Sequence, residues 1–310
     1  MSQVKRYSAF SDELKRAFGC RVQRISVDAG FSCPNRDGTL DTHGCIFCGG
    51  HGSGSYGIIR NLSVAEQIED GKEVMRRKYK AQRFMAYFQA FSNTYAPVAQ
   101  LRTLYAEAVS VPDVVGLIVA TRPDCLSDEV LDYLQELNGQ TYLWLELGMQ
   151  SIHDKSLGLL NRRHDHACSV DAVQRAKSRG LRVCAHVILG LPGETQEDML
   201  AMAGELSRLG IDGVKLHLLH VMKGTVLAQM YERGEVQVLG RDEYAGLVCD
   251  FLELLDPRIL IHRLTGDGGH ENLVAPLWSL KKFEVLNLID AEMKRRGSRQ
   301  GSLFPTSLPL

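Results

Sequence analysis

The chain has 310 residues, and its 36 Lys plus Arg nearly cancel 37 Asp plus Glu, for a formal net charge of -1. Hydrophobic residues at 45% and charged residues at 24% are those of an ordinary globular protein, which excludes a disordered or collagen-like chain. With no global positive field, any binding of nucleic acid or an anionic membrane has to rest on local patches.

In chain order, residues 1–20 read as an N-terminal extension, carrying Lys5 and Arg6 but no apolar stretch of the kind a cleaved signal needs. A first strand is expected at 21–26, and short apolar runs follow at 83–90, 114–120, 142–148, 183–189, 213–219 and 259–264. Each is nearly continuous in apolar character, as parallel strands covered on both faces are. Helix starts fall between them. Ser63 with Glu66, Ser151 with Asp154 and Thr195 with Asp198 share the Ser/Thr-x-x-acid spacing that satisfies free N–H groups at a helix N-terminus. Gly180 and Gly210 sit where a left-handed residue would end a helix before the next strand.

This alternation predicts an α/β fold with right-handed crossovers, a parallel sheet curled into a partial barrel over 21–265, and a C-terminal extension over 266–310. In such folds the site lies at the carboxyl ends of the strands. No apolar run approaches the roughly 20 residues of a membrane span. Eight cysteines are too few and too unevenly spaced for a disulfide scaffold at this length. A cytoplasmic protein with no membrane partner is expected, its cysteines thiols or metal ligands.

Three of those cysteines are local. Eleven residues separate Cys33 from Cys45 and two separate Cys45 from Cys48, with Pro34, Gly38 and Gly44 marking a loop and Gly49 and Gly50 following. Two chemistries fit three thiolates. A structural zinc ion needs a fourth ligand, which His43 or His51 could supply. A [4Fe-4S] cluster accepts three thiolates and leaves one iron open. Cys20, Cys125, Cys168, Cys184 and Cys249 have no metal-type spacing; Cys125, Cys168, Cys184 and Cys249 read as structural, with Cys20 and Cys125 the alternative candidates for substrate-side thiols.

The second arrangement resembles the radical S-adenosylmethionine superfamily, including the aromatic Phe47 before the last cysteine and the Gly49-Gly50 pair after it. That resemblance implies a partial (β/α)6 TIM-like barrel, with the cluster loop after the first strand. It also implies a cluster held by Cys33, Cys45 and Cys48, with S-adenosylmethionine on its open iron. The stretch from Glu146 to Ser151 and the run Asn161-Arg162-Arg163-His164 look like the branches that contain the Elongator catalytic subunit and anaerobic coproporphyrinogen oxidase. There, residues at the positions of Gln150 and Arg162 contact the cofactor.

Gly190, in a Gly-Leu-Pro-Gly-Glu turn, and His186 before it look like further cofactor contacts. Relatives carry a glutamate where this chain has Ala120, so Thr121 or Glu146 is expected to take over the ribose contact. The motifs from Gln89 to Tyr95, Lys215 to His217, Gly224 to Thr225 and Leu264 to Gly268 resemble the small YhcC/YtqA-type members over about residues 5–295.

The resemblance implies an enzyme that cleaves S-adenosylmethionine reductively to a 5′-deoxyadenosyl radical, drawing electrons from a donor such as flavodoxin or ferredoxin. A tRNA wobble uridine is the leading substrate. The alternatives are a small metabolite or protein substrate, or a non-catalytic zinc-stabilised nucleic-acid-binding module. Lys215 and His217 share one strand face and are candidates to meet substrate, whereas His217 and His220, three apart in a strand, are expected to face opposite ways. Asp267 is a candidate loop residue over the barrel. Two basic runs offer phosphate contacts: Lys72, Arg76, Arg77, Lys78, Lys80 and Arg83, and Lys294, Arg295, Arg296 and Arg299.

Overall fold

A computed structural model describes residues 5–50, 62–266 and 271–305. Its strands are β1 (Val22–Val27), β2 (Arg83–Phe88), β3 (Val114–Thr121), β4 (Tyr142–Gln150), β5 (Arg182–Leu189), β6 (Gly213–Leu218), β7 (Val221–Met222), β8 (Leu260–Arg263) and β9 (Leu273–Ala275). Seven of them form one parallel sheet in the order β1-β2-β3-β4-β5-β6-β8, while β7 and β9 pair antiparallel beside it. The expected strands are all present because each apolar run is buried on both faces.

The sheet is curled. β2 and β6 are four positions apart, about 19 Å in a flat sheet at ~4.8 Å per strand. Yet Lys215 Nζ on β6 reaches Tyr87 Oη on β2 at 2.5 Å. The helix Phe10–Phe18 closes the amino end of the barrel, with Phe10 stacked on His262 at 3.8 Å and edge-on to Trp144 at 5.1 Å. Most of the remaining helices cover the outer face, and their apolar sides merge with that face in one large core, while Leu227 and Ala228 of the helix Val226–Glu232 pack in a separate cluster with Ile46 and Phe47. Among the described residues, no helix is long and apolar enough to cross a membrane.

Ser63–Glu66 and Thr195–Asp198 form reciprocal capping boxes, and Gly180 and Gly210 adopt φ of 70° and 63°. The expected cap at Ser151 is absent. The next helix starts after His153, Ser151 Oγ donates to Glu194 at 2.5 Å, and Asp154 accepts from the His166 N–H at 2.7 Å. Tertiary partners outcompete the local motif there.

The basic runs are partly occupied. Lys72 is buried and donates to Glu69 and to the Pro112 carbonyl, so it offers nothing to a phosphate. Arg76 pairs with Asp113, Lys294 with Asp290, Arg295 with Glu292, and Arg296 with Asp250, Glu253 and Glu292. His51, Asp267 and Gly268 lie outside the described residues.

Candidate active site at the carboxyl end of the barrel

The loop after β1 folds on its own backbone. Arg36 N–H donates to the Cys33 carbonyl, Leu40 to Pro34, Gly44 to Asn35 and Cys48 to Cys45, all within 3.0 Å. Asp41 ties the loop down. Its Oδ1 accepts from the Thr42 and His43 N–H groups and its Oδ2 from Asn161 and Arg163, which holds its carboxyl well below the usual range. Asn161 and Arg163 both have left-handed backbone, φ 56° and 59°, so they grip the loop while Arg162 between them points inward.

Cys33, Cys45 and Cys48 all line one cavity of about 450 Å³ at the carboxyl ends of the strands. Burial raises the Cys48 thiol above its ordinary pKa, and the neighbouring Cys45 and Cys33 sulfurs raise it further. A cation bound among the three would reverse that effect.

Among the described residues, the only trio of His, Cys, Asp or Glu donors within 4.8 Å of one another is Glu146, Cys184 and His262. At least one pair among the three loop sulfurs therefore lies more than 4.8 Å apart, whereas thiolates around one tetrahedral zinc lie roughly 3.8 Å apart. His43, one proposed fourth ligand, has an 82% exposed side chain whose Nδ1 lies 2.8 Å from Asp41. Three thiols with that reach accommodate a polynuclear cluster.

The wall beside the cysteines is polar and incompletely paired. Gln150 Oε1, Arg162 Nε, Arg122 Nη1 and His186 Nε2 are buried without a hydrogen-bond partner. All four residues line the cavity. Such atoms cost about 1–3 kcal/mol each unless a ligand satisfies them, which fits a polar cofactor seated against them. Gln150 adopts φ 68° at a register shift between β4 and β5, and its amide folds over Gly148, where a Cβ would lie 2.8 Å from Gln150 Nε2.

Arg162 donates from Nη1 to Cys45 Sγ at 3.3 Å and from Nη2 to the Gly148 carbonyl at 2.7 Å. Arg122, clamped by Asp124, donates to the Arg162 carbonyl at 2.7 Å. Burial and the Arg162 charge hold His164 down at about 4, so its Nε2, 3.0 Å away, is an acceptor for Arg162.

Phe47, Gly49, Gln89 and Thr121 also line the cavity; Gly50 and Gly190 do not. Thr121 Oγ1 is bonded to Thr94 Oγ1 at 2.6 Å. Glu146 lies deeper, where Lys215 Nζ and Tyr87 Oη both reach its Oε2 at 2.7 Å. Burial alone would raise this carboxyl; the Lys215 ammonium and His262 together outweigh it and hold it well below the usual range. Lys215 itself is drawn down to about 8 by burial, against the pull of Glu146. Lys215 already neutralises Glu146, so the Glu146–Cys184–His262 trio is an internal polar contact rather than a metal site.

Lys215 and His217 both line the cavity, as their shared face requires. His220 lines it too, contrary to the opposed faces expected of it. β6 ends at Leu218, so strand alternation no longer governs position 220, and the His217 and His220 rings meet at 5.8 Å. Tyr87, Arg122, Arg263 and Asn35 were not singled out in the sequence. Tyr87 was reachable, since it alternates with Gln89 along β2. Arg263 was not, because a register shift beside β8 sets its direction. Burial pushes the Cys125 and Cys249 thiols up to about 12, as inert structural cysteines require.

A curled parallel half-barrel with three converging thiols at the carboxyl ends of its strands defines a class. The family model described as the radical SAM superfamily matches residues 42–206, and the Radical_SAM C-terminal domain model matches 211–295. The chain belongs to the radical SAM superfamily and is an enzyme of that class, whose members imply an iron–sulfur cluster, S-adenosylmethionine and a reductant.

Within the superfamily, the chain is similar to the uncharacterized protein YtqA of Bacillus subtilis (strain 168), 46% identical over 97% of this chain and 93% of the relative. Protein YhcC of Escherichia coli (strain K12) is 38% identical over 100% of this chain and 99% of its own length. A tRNA uridine(34) acetyltransferase of Methanocaldococcus infernus is 30% identical over 60% of this chain and 34% of that protein. The solved Elp3 of the same archaeon, with residues 1–46 deleted, superposes with a TM-score of 0.71 at 19% identity, covering 90% of this chain and 64% of that one. This last likeness is one of fold.

Proposed function

We propose that Cys33, Cys45 and Cys48 hold a [4Fe-4S] cluster, that S-adenosylmethionine binds in the adjoining cavity, and that the substrate is a tRNA wobble uridine. One observation carries the cofactor reading: three thiols of one loop border a cavity whose wall holds unpaired polar atoms. When bound, the two cofactors supply reductive cleavage of a carbon–sulfur bond and hence a carbon-centred radical.

The chain's own residues bind, orient and exclude. Gln150 Oε1 is an acceptor, and Arg162 Nε and Arg122 Nη1 are donors, placed for the amino-acid and ribose groups of the cofactor. Phe47 and Gly49 shape the seat beside the cysteines. The floor of Phe10, Leu14 and Trp144 keeps water out from below. Lys215 keeps its proton at neutral pH against Glu146, and with His217 it presents donors to a substrate group entering the barrel. The electron donor is of the flavodoxin or ferredoxin class, and the compartment is the cytoplasm.

The RNA half of the reading is supported by the partial match to a tRNA uridine(34) acetyltransferase. A second reading, a small metabolite or protein substrate, is favoured by the burial of Lys72 and the pairing of Arg76, Lys294, Arg295 and Arg296 with acids. Modified nucleosides in tRNA from a deletion strain and its parent, grown aerobically and anaerobically, separate the two. Loss of a uridine modification supports the RNA substrate. An unchanged profile in both conditions replaces it with the second reading.

A further inference from the structure

We propose that Arg162, assisted by Asn35, sets the reduction potential of the cluster through Cys45; this rests on the assignment of the three cysteines as its ligands. Cys45 is buried, and two side-chain N–H donors converge on its sulfur, Arg162 Nη1 at 3.3 Å and Asn35 Nδ2 at 3.5 Å. Reduction adds one electron to the iron–sulfur unit, and part of that charge resides on the thiolates. Donors and a nearby cation stabilise the reduced form more than the oxidised one and so raise the potential.

The guanidinium is held in place for this role. Arg162 is 5% exposed, its Nη2 is tied to the Gly148 carbonyl, and its own carbonyl is tied to Arg122. Its neighbours Asn161 and Arg163 fasten the same loop through Asp41 and the Gly44 carbonyl. Asn35 is fully buried, and its amide is also anchored on the Asn161 carbonyl at 2.6 Å. Arg162 is thus a positioning residue that acts through Cys45, beyond any contact it makes with S-adenosylmethionine.

The test uses the full chain reconstituted anaerobically with iron and sulfide. Iron per chain is measured first, then the reduced fraction by electron paramagnetic resonance in a dithionite-poised titration. At a fixed potential, Arg162→Met is expected to raise the oxidised-to-reduced ratio about tenfold, which is ~59 mV for a one-electron couple. Asn35→Ala, which removes a neutral donor only, shifts it in the same direction by about threefold. If Arg162→Met takes up less iron than the wild type, Asn35→Ala decides by the same ratio. Ratios within twofold of wild type in these variants, at equal iron content, overturn the inference. A wild-type chain that takes up zinc and no iron overturns the cluster assignment instead.

Discussion

At the closed end of the barrel, the Lys215 ammonium, the Tyr87 hydroxyl and the Glu146 carboxylate answer one another within 2.5–2.7 Å. At the open end, Gln150 Oε1, Arg162 Nε and Arg122 Nη1 are equally buried and have no partner. The contrast separates two uses of buried polarity. At the floor the charges are paired with one another, although Glu146 Oε1 and the His262 nitrogens have no hydrogen-bond partner, so these charges stabilise the protein or destabilise it according to whether each keeps its mate. The mouth is incomplete, and it carries an energetic deficit that a polar ligand would remove.

The largest effect is expected at the mouth. Cys45→Ala should abolish iron binding while leaving the melting temperature of the iron-free chain within a few degrees. Iron analysis and calorimetry check it; full iron retention would mean that the open end is not a cluster site.

The floor should respond in stability instead. Lys215→Met leaves the Glu146 carboxylate buried and uncompensated, an expected loss of about 3–5 kcal/mol in urea unfolding. The double variant Lys215→Met, Glu146→Leu should recover most of it. A single-variant loss below about 1 kcal/mol would show that the floor does not depend on this pair.

Acid sharpens the same contrast. The His262 side chain is fully buried against Phe10, and burial lowers its pKa from the ordinary 6.5 to about 4. Between those values the unfolded chain binds a proton that the native chain does not, so stability falls as pH falls from 6.5 and is intact above it. The expected loss by pH 4 is about 3 kcal/mol. His262→Phe should flatten the slope of unfolding free energy against pH; an unaltered slope assigns the acid sensitivity to other groups.

A smaller effect is expected from Asn161→Gly. It keeps the left-handed backbone but drops the amide contacts to Asp41 and the Gly44 carbonyl. About 1 kcal/mol of stability should go, with slower iron uptake; uptake at the wild-type rate would show that Asn161 does not help shape the loop.

Much of the fold was legible because it is written locally. Six apolar runs and the expected first strand gave the seven strands of the parallel sheet, and Ser63, Thr195, Gly180 and Gly210 ended their helices as their residue types require. Where a distant group competes, the local rule fails. Ser151 turns to Glu194, and Lys72 is drawn into the interior by Glu69 and the Pro112 carbonyl. Likewise His220, lying just past the end of β6, escapes the alternation that would have turned it away from His217.

The sequence by itself determined the strand and helix order and the presence of three thiols on one loop, because periodicity and residue spacing are properties of the chain read one segment at a time. Only the tertiary structure decided which polar groups meet. Tyr87 and Lys215 are 128 residues apart, and Arg162 and Cys45 are 117 apart. Their contacts exist because the sheet curls, and curl is set by the packing of all seven strands together rather than by any one of them.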